Sequence, residues 1–309
     1  NPDYWDKGIP KIETLDYLIV PEADWFGMMK DGKADLAPDL SGRFANRLVK
    51  EGGGKTKIIK RRVLMSYWFH LKNTGPMADK RVRLALNEAI NRPEIIKFAD
   101  YGNGSPLYSL GKKGEFGASP KDLKYPYDVE KAKALLKEAG YEKGFKMKVL
   151  VADISASVAK VIKANLQKIG VELDLEIVPR TTWTEKMVVY KIMNNGKLPD
   201  YDGSINLVDN PTYNLTFHAF MFLHSHAPFS LLNSPEYDEK FNYAVSALDE
   251  AEHKKRLEAL DEYIHDEALM IFTTQRILTV AASRDLSIQT FNLSGHLGRY
   301  ILSTASWLK

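Results

Sequence analysis

Residues 145–178 constrain the fold more than any other stretch, because three successive segments change hydrophobic period in a fixed order. "FKMKVLV" (145–151) alternates apolar and basic side chains, and "VELDLEIV" (171–178) alternates apolar and acidic ones. A period of two places neighbouring side chains on opposite faces of a strand. Between them, "SASVAKVIKANLQKIG" has the spacing of an amphipathic helix closed by Gly170. Strand, helix and strand at this separation form a βαβ unit, with parallel strands and a right-handed crossover. A helix over Trp183–Met193 and an extended run, "YDGSINLV" (201–208), continue the alternation. The centre of the chain is α/β.

Upstream, "IETLDYLIV" (12–20) reads as a strand, and a short helix from Ala23 to Lys30 follows until Asp31-Gly32 breaks it. "KADLAPDL" continues in extended form, and "SYWFHLKN" (66–73) has strand-like aromatic content. Asp79 is placed to cap a helix whose apolar stripe is Val82, Ala85, Leu86, Ala89 and Ile90. Arg81, Arg83, Asn87 and Glu88 lie off that stripe. Pro93 suits the start of a second short helix. The Gly/Pro/Tyr-rich stretch from Tyr101 to Tyr127 is long enough to wrap a surface, and loops of that length are usually functional or mobile. Asp128 and Gly140 bracket another helix. Two more, "SPEYDEKFNYAVSAL" and "AEHKKRLEALDEYIHDEAL", precede a strand at 270–282, and 284–309 lacks periodicity.

"EGGGKT", beginning at Glu51, ends like a nucleotide-binding P-loop. That motif needs a glycine at 49, where the chain has Val49, and a helix after the threonine. The β-branched, basic run "KIIKRRVLM" reads instead as a strand. A glycine turn between helix and strand accounts for the same letters.

Composition removes several chemistries. There is no cysteine, so thiolate metal sites, disulfides and cysteine nucleophiles are excluded. A net charge of +3 is small for a chain whose main task is neutralising nucleic-acid phosphates, and the basic run Lys60-Arg61-Arg62 reads as a solvated edge. No run approaches the ~18 apolar residues of a membrane span, and the first residues have no signal-peptide apolar core. No G-x-S-x-G nucleophile motif is present, and no acid/base pair stands out by spacing.

Ligands of open α/β sheets sit beyond the carboxyl ends of parallel strands. That rule selects Arg180, two positions after the strand 171–178, and Asp209, directly after 201–208. A cation and an anion on one sheet edge suit a zwitterionic ligand; solvated loop charges are the plainer reading. Tyr67, Trp68 and Phe69, with Phe217, Phe220 and Phe222, are either the apolar walls of a cleft or core residues. His218, His224 and His226 cluster, and the last two share a face if the segment is extended. No acidic ligand lies at a convincing spacing, so no metal and no other cofactor is assigned.

Several stretches together resemble one family, the extracellular solute-binding proteins of family 5, the oligopeptide-, dipeptide- and nickel-binding components of ABC importers. They are "NPDYW", "GMMKDGKADLAPDL", "NTGPMADKRVRLALNEAINRPEII", "YPYDVEKAKALLKEAGY", "SPEYDEKFNYA" and "RLEALDEYIHDEALMIF", in the family's order. The resemblance implies an α/β fold of two lobes, periplasmic-binding-protein-like of type II (cluster C-like), with the first lobe incomplete. Residues 1–75 and 276–309 would belong to lobe one and 76–275 to lobe two. It implies a non-enzymatic, monomeric binder of a peptide or small polar molecule, without nucleic-acid partners. Such a binder is periplasmic or extracellular, a lipid anchor being compatible with it, and delivers its ligand to membrane permease subunits. A ligand-sensing domain of a regulatory protein is the alternative with the same fold. Peptide-binding members carry a W-x-x-D-Y-x-D-P pattern whose first acid receives the ligand's amino terminus. Here "NLVDNP" places Asn206 at the tryptophan and Asp209 at the acid, with two residues lost before Pro211.

Overall fold

The computed structural model describes residues 7–8, 11–290 and 300–307. Residues 12–20, expected as a strand, pair with no strand among the described residues, and Leu15, Tyr17, Leu18 and Ile19 are exposed. Their composition suits a strand, but ladder hydrogen bonds need a neighbour that composition does not supply.

Helix α1 (Glu22–Asp31) stops at Gly32, and β1 (Leu36–Leu40) follows. Ser41 caps α2 (Gly42–Glu51), its hydroxyl accepting the Phe44 N–H at 3.5 Å. Gly53 (φ 64°) and Gly54 (φ 76°) then turn the chain into β2 (Thr56–Leu71). Gly54-Lys55-Thr56 joins a helix to a strand, the reverse of the P-loop order.

Asp79 caps α3 (Lys80–Glu88), accepting the Arg81 N–H at 2.8 Å, and the expected apolar stripe is buried. Of the residues off the stripe Arg81 is exposed, but Arg83, Asn87 and Glu88 are buried. A second set of neighbours explains this. Arg83 donates to the Glu267 carbonyl (2.8 Å) and Asn87 to that of Met270 (2.8 Å), while Lys131 pairs with Glu88 (2.6 Å). Such polar side chains are tolerated inside because each finds a partner. Then come α4 (Arg92–Phe98), with Pro93 in its first turn, the short β3 (Gly104–Pro106), and α5 (Val129–Glu138).

β4 (Phe145–Ala152), α6 (Ala156–Gln167) and β5 (Val171–Val178) form the expected unit, its strands parallel from Phe145↔Val171 to Ala152↔Val178. The next helix starts at Arg180, earlier than expected, and runs as α7 (Arg180–Thr184), a π-helical turn (Glu185–Val189) and α8 (Tyr190–Met193). β6 (Gly203–Val208) is parallel to β4. Residues 217–223 lie in α9 (Leu215–Leu223), so "FHAFMFL" is helical rather than extended. After α10 (Pro235–Val245) and α11 (Glu250–Asp266), β7 (Met270–Ser283) returns to the sheet. β8 (Leu286–Thr290) and β9 (Tyr300–Trp307) form a separate antiparallel pair.

The main sheet has the order β1-β7-β2-β6-β4-β5, with β3 also on β7. The two long strands β2 and β7 pair antiparallel, with a register shift between Arg61 and Met65. Before the shift, β2 pairs with the half of β7 that carries β1; after it, Ser66–Leu71 also pairs with β6. Alternation sends Met65, Tyr67, Phe69 and Leu71 into a core with α3, α5 and α6. It sends Trp68 into a second core under α9, α10 and α11.

Candidate ligand-binding site

β6 ends at Val208, and the polar residues after it turn inward rather than to solvent. Asp209 is 5% exposed and Asn210 is fully buried. Helix α9 fixes the backbone here, since the His218 Nε2 lies 3.0 Å from the Asp209 carbonyl oxygen. Asn210 Nδ2 donates to Glu115 Oε1 (3.2 Å) and to the Asn214 carbonyl (2.9 Å). One step back along the strand, Asn206 stands opposite Trp68 of β2. Both are fully buried, and their donors, Trp68 Nε1 and Asn206 Nδ2, have no hydrogen-bond partner among the described residues.

The long loop between β3 and α5 brings the charges. Lys112 and Glu115 have fully buried side chains, with Nζ 3.5 Å from Oε1, and the Lys112 N–H donates to Glu115 Oε2 at 3.1 Å. Burial pulls the Lys112 ammonium down to about 8 against the opposing pull of the Glu115 and Asp209 charges, and it pushes the Glu115 carboxyl up. The same ammonium lies 5.9 Å from the Trp68 ring centre. Asp261 of α11 anchors the loop by accepting the N–H groups of Gly111 (2.9 Å) and Ser119 (3.0 Å). Glycine permits that approach. A Cβ on Gly111 would lie 2.6 Å from Asp261 Oδ2, and one on Gly117 2.5 Å from Leu257 Cβ.

The structure gathers Trp68, Asn206 and Asp209 at one place. Phe217, half-buried in the first turn of α9, lies beside His218 with ring centres 5.7 Å apart. Arg180 is exposed but reaches the same edge, its Nη1 donating to the Leu207 carbonyl at 3.1 Å. Tyr67 is set apart from these by the sheet. It faces the other core, and its hydroxyl donates to Asp100 Oδ1 at 3.2 Å. The rings of His224 and His226 lie 5.6 Å apart past the end of α9, and no group of three His, Cys, Asp or Glu among the described residues is arranged to hold a metal ion. Sequence reasoning missed Lys112, Glu115 and Asn210. The available signal was "GKKGEFG", charged residues punctuated by glycines inside a long loop.

Together these groups offer hydrogen bonds of both senses in a water-poor setting at the end of a parallel strand. Comparison with known proteins gives the same setting a family. The model for bacterial extracellular solute-binding proteins, family 5 middle, matches residues 1–218. The glutathione-binding protein GsiB of Shigella flexneri serotype 5b (strain 8401) is 29% identical over 170 residues, covering 54% of this chain and 33% of that protein. The dipeptide-binding protein of Escherichia coli (strain K12) is 29% identical over 177 residues, covering 55% of this chain and 33% of the relative. The matched region thus spans about a third of the length of these relatives.

Among solved structures, the periplasmic binding protein DppA of Helicobacter pylori, in complex with the peptide STSA, superposes with a TM-score of 0.80 at 20% identity, covering 100% of this chain and 59% of that one. AgaA of A. tumefaciens R10, in complex with agropinic acid, gives 0.77 at 21% identity, covering 100% and 63%. The fold is that of the two-lobed periplasmic binding proteins, and the chain belongs to the bacterial extracellular solute-binding proteins of family 5.

Proposed function

We propose that this chain is the ligand-capturing part of an ABC importer's substrate-binding protein. It takes a small polar organic ligand, a peptide or peptide-like molecule, between two lobes and leaves its covalent bonds untouched. The observation that carries the reading is the buried polar cluster at the end of β6, where Asp209, Lys112, Glu115 and Asn206 meet beside Trp68. Polar groups of this density inside a protein are costly unless they serve a partner. Family membership and the ligands named for the relatives, glutathione, dipeptides and the peptide STSA, point to the same class. Asp209, Asn206, Trp68, Phe217 and Arg180 form the ligand-facing edge, with Tyr67 behind the sheet.

In this reading the second division between the lobes stays near residue 276, where residues 276–278 of β7 face the register shift of β2, and the first falls at that shift, between Arg61 and Met65, rather than near residue 75. A strand pair with interrupted pairing bends more readily than a regular ladder, and closure about it would desolvate the ligand from both sides. Capture takes place in the periplasm or outside the cell, and the closed form is presented to the membrane permease subunits.

The test is native mass spectrometry of the purified full-length protein for co-purifying ligand, followed by thermal shift with di- and tripeptides. A ligand present at about 100 times its Kd adds roughly 2.7 kcal/mol to stability, a clear rise in melting temperature. If no peptide or peptide-like compound raises that temperature and none co-purifies, the reading is wrong.

A further inference from the structure

We infer that Gly42 is the pivot of lobe closure, a reading that rests on the two-lobe binder proposed above. Helix α2 meets the turn 100–103 at this glycine, on the face of the sheet away from the ligand cluster. The closeness of that contact sets how readily the lobes shut, and so tunes affinity from a place the ligand never touches.

The contact lies beside the hinge. By the division at the register shift, α2 belongs to lobe one and the turn after α4 to lobe two. The Asn103 carbonyl accepts the Ile277 N–H at 2.9 Å, and Gly104 stands opposite Arg276 where β3 pairs with β7. Arg276 Nη2 donates in turn to the Leu40 carbonyl at 3.3 Å, two residues before Gly42. Arg276 is also the residue of β7 that pairs with Met65, where the ladder resumes after the shift.

The two surfaces meet without clearance. A Cβ on Gly42 would lie 2.4 Å from the Asp100 carbonyl oxygen and 2.6 Å from Asn103 Nδ2. Ordinary contact begins at 3.4 Å, so a methyl group there has to part them by about 1 Å. The turn is braced against yielding. Asn103 is buried, and its Nδ2 donates to the carbonyls of Asp100 (3.3 Å) and Tyr101 (3.2 Å). The Tyr67 hydroxyl holds Asp100 Oδ1 at 3.2 Å. One turn along α2, Asn46 Nδ2 donates to the Tyr101 carbonyl at 3.0 Å and ties the helix to the turn across the contact.

The side of the sheet gives the direction. Tyr67 and Trp68 are consecutive in β2 and point to opposite faces. Tyr67 reaches the turn, whereas Trp68 stands opposite Asn206 in the ligand cluster. Parting two bodies behind a bending strand pair brings them together in front of it. Loosening the Gly42 contact therefore favours the closed form, and less of a ligand's binding energy is consumed by closure.

The test is calorimetric titration of the full-length protein and its Gly42→Ala variant with glutathione and with Met-Leu. Whichever peptide binds the wild type is expected to bind Gly42→Ala about tenfold tighter, although the crowded contact lowers the melting temperature. A merely structural role would lower both. Spin labels give a second readout that needs no ligand. The 309 residues contain no cysteine, so Lys50→Cys on α2 and Lys160→Cys on α6, both exposed, each take one label. Their separation is expected to shift by about 2 Å in Gly42→Ala, the opening at the contact being enlarged with distance from it. Should circular dichroism show that Gly42→Ala does not fold, Asn46→Ala removes the tie to Tyr101, and the same readouts apply with binding about threefold tighter. Binding that is unchanged or weaker in the folded variant overturns the inference and leaves the binding reading standing. A label separation equal to that of the wild type also overturns it. Failure of both peptides and of a wider peptide panel removes the binding reading, while the label separation still judges the pivot.

Discussion

The two faces of β2 are built on opposite terms. Tyr67, Phe69 and Leu71 enter a core of aliphatic residues from β4, β6, α3, α5 and α6, and Phe69 is fully buried there. On the other face, Ser66, Trp68 and His70 carry polar atoms that, with Asn206 Nδ2 and His218 Nδ1, have no hydrogen-bond partner among the described residues. Each such atom costs about 1–3 kcal/mol when buried. One strand thus contributes stability on one side and spends it on the other, and the expensive side ends at Asp209. Along β2 itself the partnerless polar atoms among the described residues, on Ser66, Trp68 and His70, all lie on one face, beside the end of β6, as expected where a strand gives up packing on one side to form a site.

The sharpest way to break this contrast is Phe69→Ala. Phe69 is an apolar, fully buried residue, and its truncation should cost about 3–5 kcal/mol, read as a lower urea midpoint with an unchanged m value. A loss under about 1 kcal/mol would mean that this face does not carry the stability assigned to it.

His70 supplies the complementary test on the polar face. Its ring packs on Phe222 with centres 4.9 Å apart, neither nitrogen has a partner among the described residues, and burial lowers its pKa to about 3. A base whose folded pKa lies below its unfolded value loses stability as pH falls through the window between them, here from about 6.5 to about 3. Asp100 and Asp261, raised to about 6 by burial, act in the opposite sense as pH falls. His218, also lowered by burial, acts with His70. The comparison must therefore be between variant and wild type. His70→Leu should gain on wild type by about 1.4 kcal/mol per pH unit below 6.5, seen in melts at pH 7, 6, 5 and 4.5. A constant difference across that range would show that His70 is not held neutral by its surroundings.

Which of these features were legible beforehand follows from how far each depends on distant parts of the chain. The βαβ unit, the caps at Asp79 and Asp128, and the glycine turn at Gly53 and Gly54 were readable because each is set by neighbours within a few residues. The strand-end rule pointed to Asp209 and Arg180, and the structure places both at the end of β6, Asp209 buried just after it and Arg180 donating to the Leu207 carbonyl. Burial of Arg83 and Asn87 was not readable, since their partners Glu267 and Met270 lie far along the chain. Lys112 and Glu115 were hidden for the same reason. A charged loop residue is exposed by default, and only the Asp261 anchor, on a helix after α10, draws this one in. Residues 12–20 failed in the other direction, because a strand-like composition does not guarantee a partner strand.

Asp261→Ala tests that anchor. Removing the carboxylate leaves the Gly111 and Ser119 N–H groups without their acceptor, so stability should fall by about 2 kcal/mol. The more telling readout is local. Hydrogen exchange across 107–127 should quicken more than in β4 or β5, because loosening of one loop opens a low-energy route without global unfolding. Uniform quickening along the chain would mean that Asp261 supports the whole second core rather than this loop.

The smallest expected effect belongs to a position remote from both faces. Gly53 has a φ of 64° with nothing within 4 Å of an added Cβ, so Gly53→Ala meets no clash and only the cost of a left-handed backbone. That cost is about 1 kcal/mol, giving a shift of a few degrees at most in a chain of this length. Peptide affinity should not change, which separates loss of stability from loss of binding in the larger variants. The same turn carries the letters that resemble a nucleotide site. ATP with magnesium should leave the melting temperature of the wild type where it is, since Thr56 opens a strand and no helix N-terminus follows to receive a phosphate. A clear upward shift with ATP would reopen the reading of residues 51–56 as a binding loop. It would also place a site on the β1 side of the register shift, where the contrast between the faces of β2 assigns none.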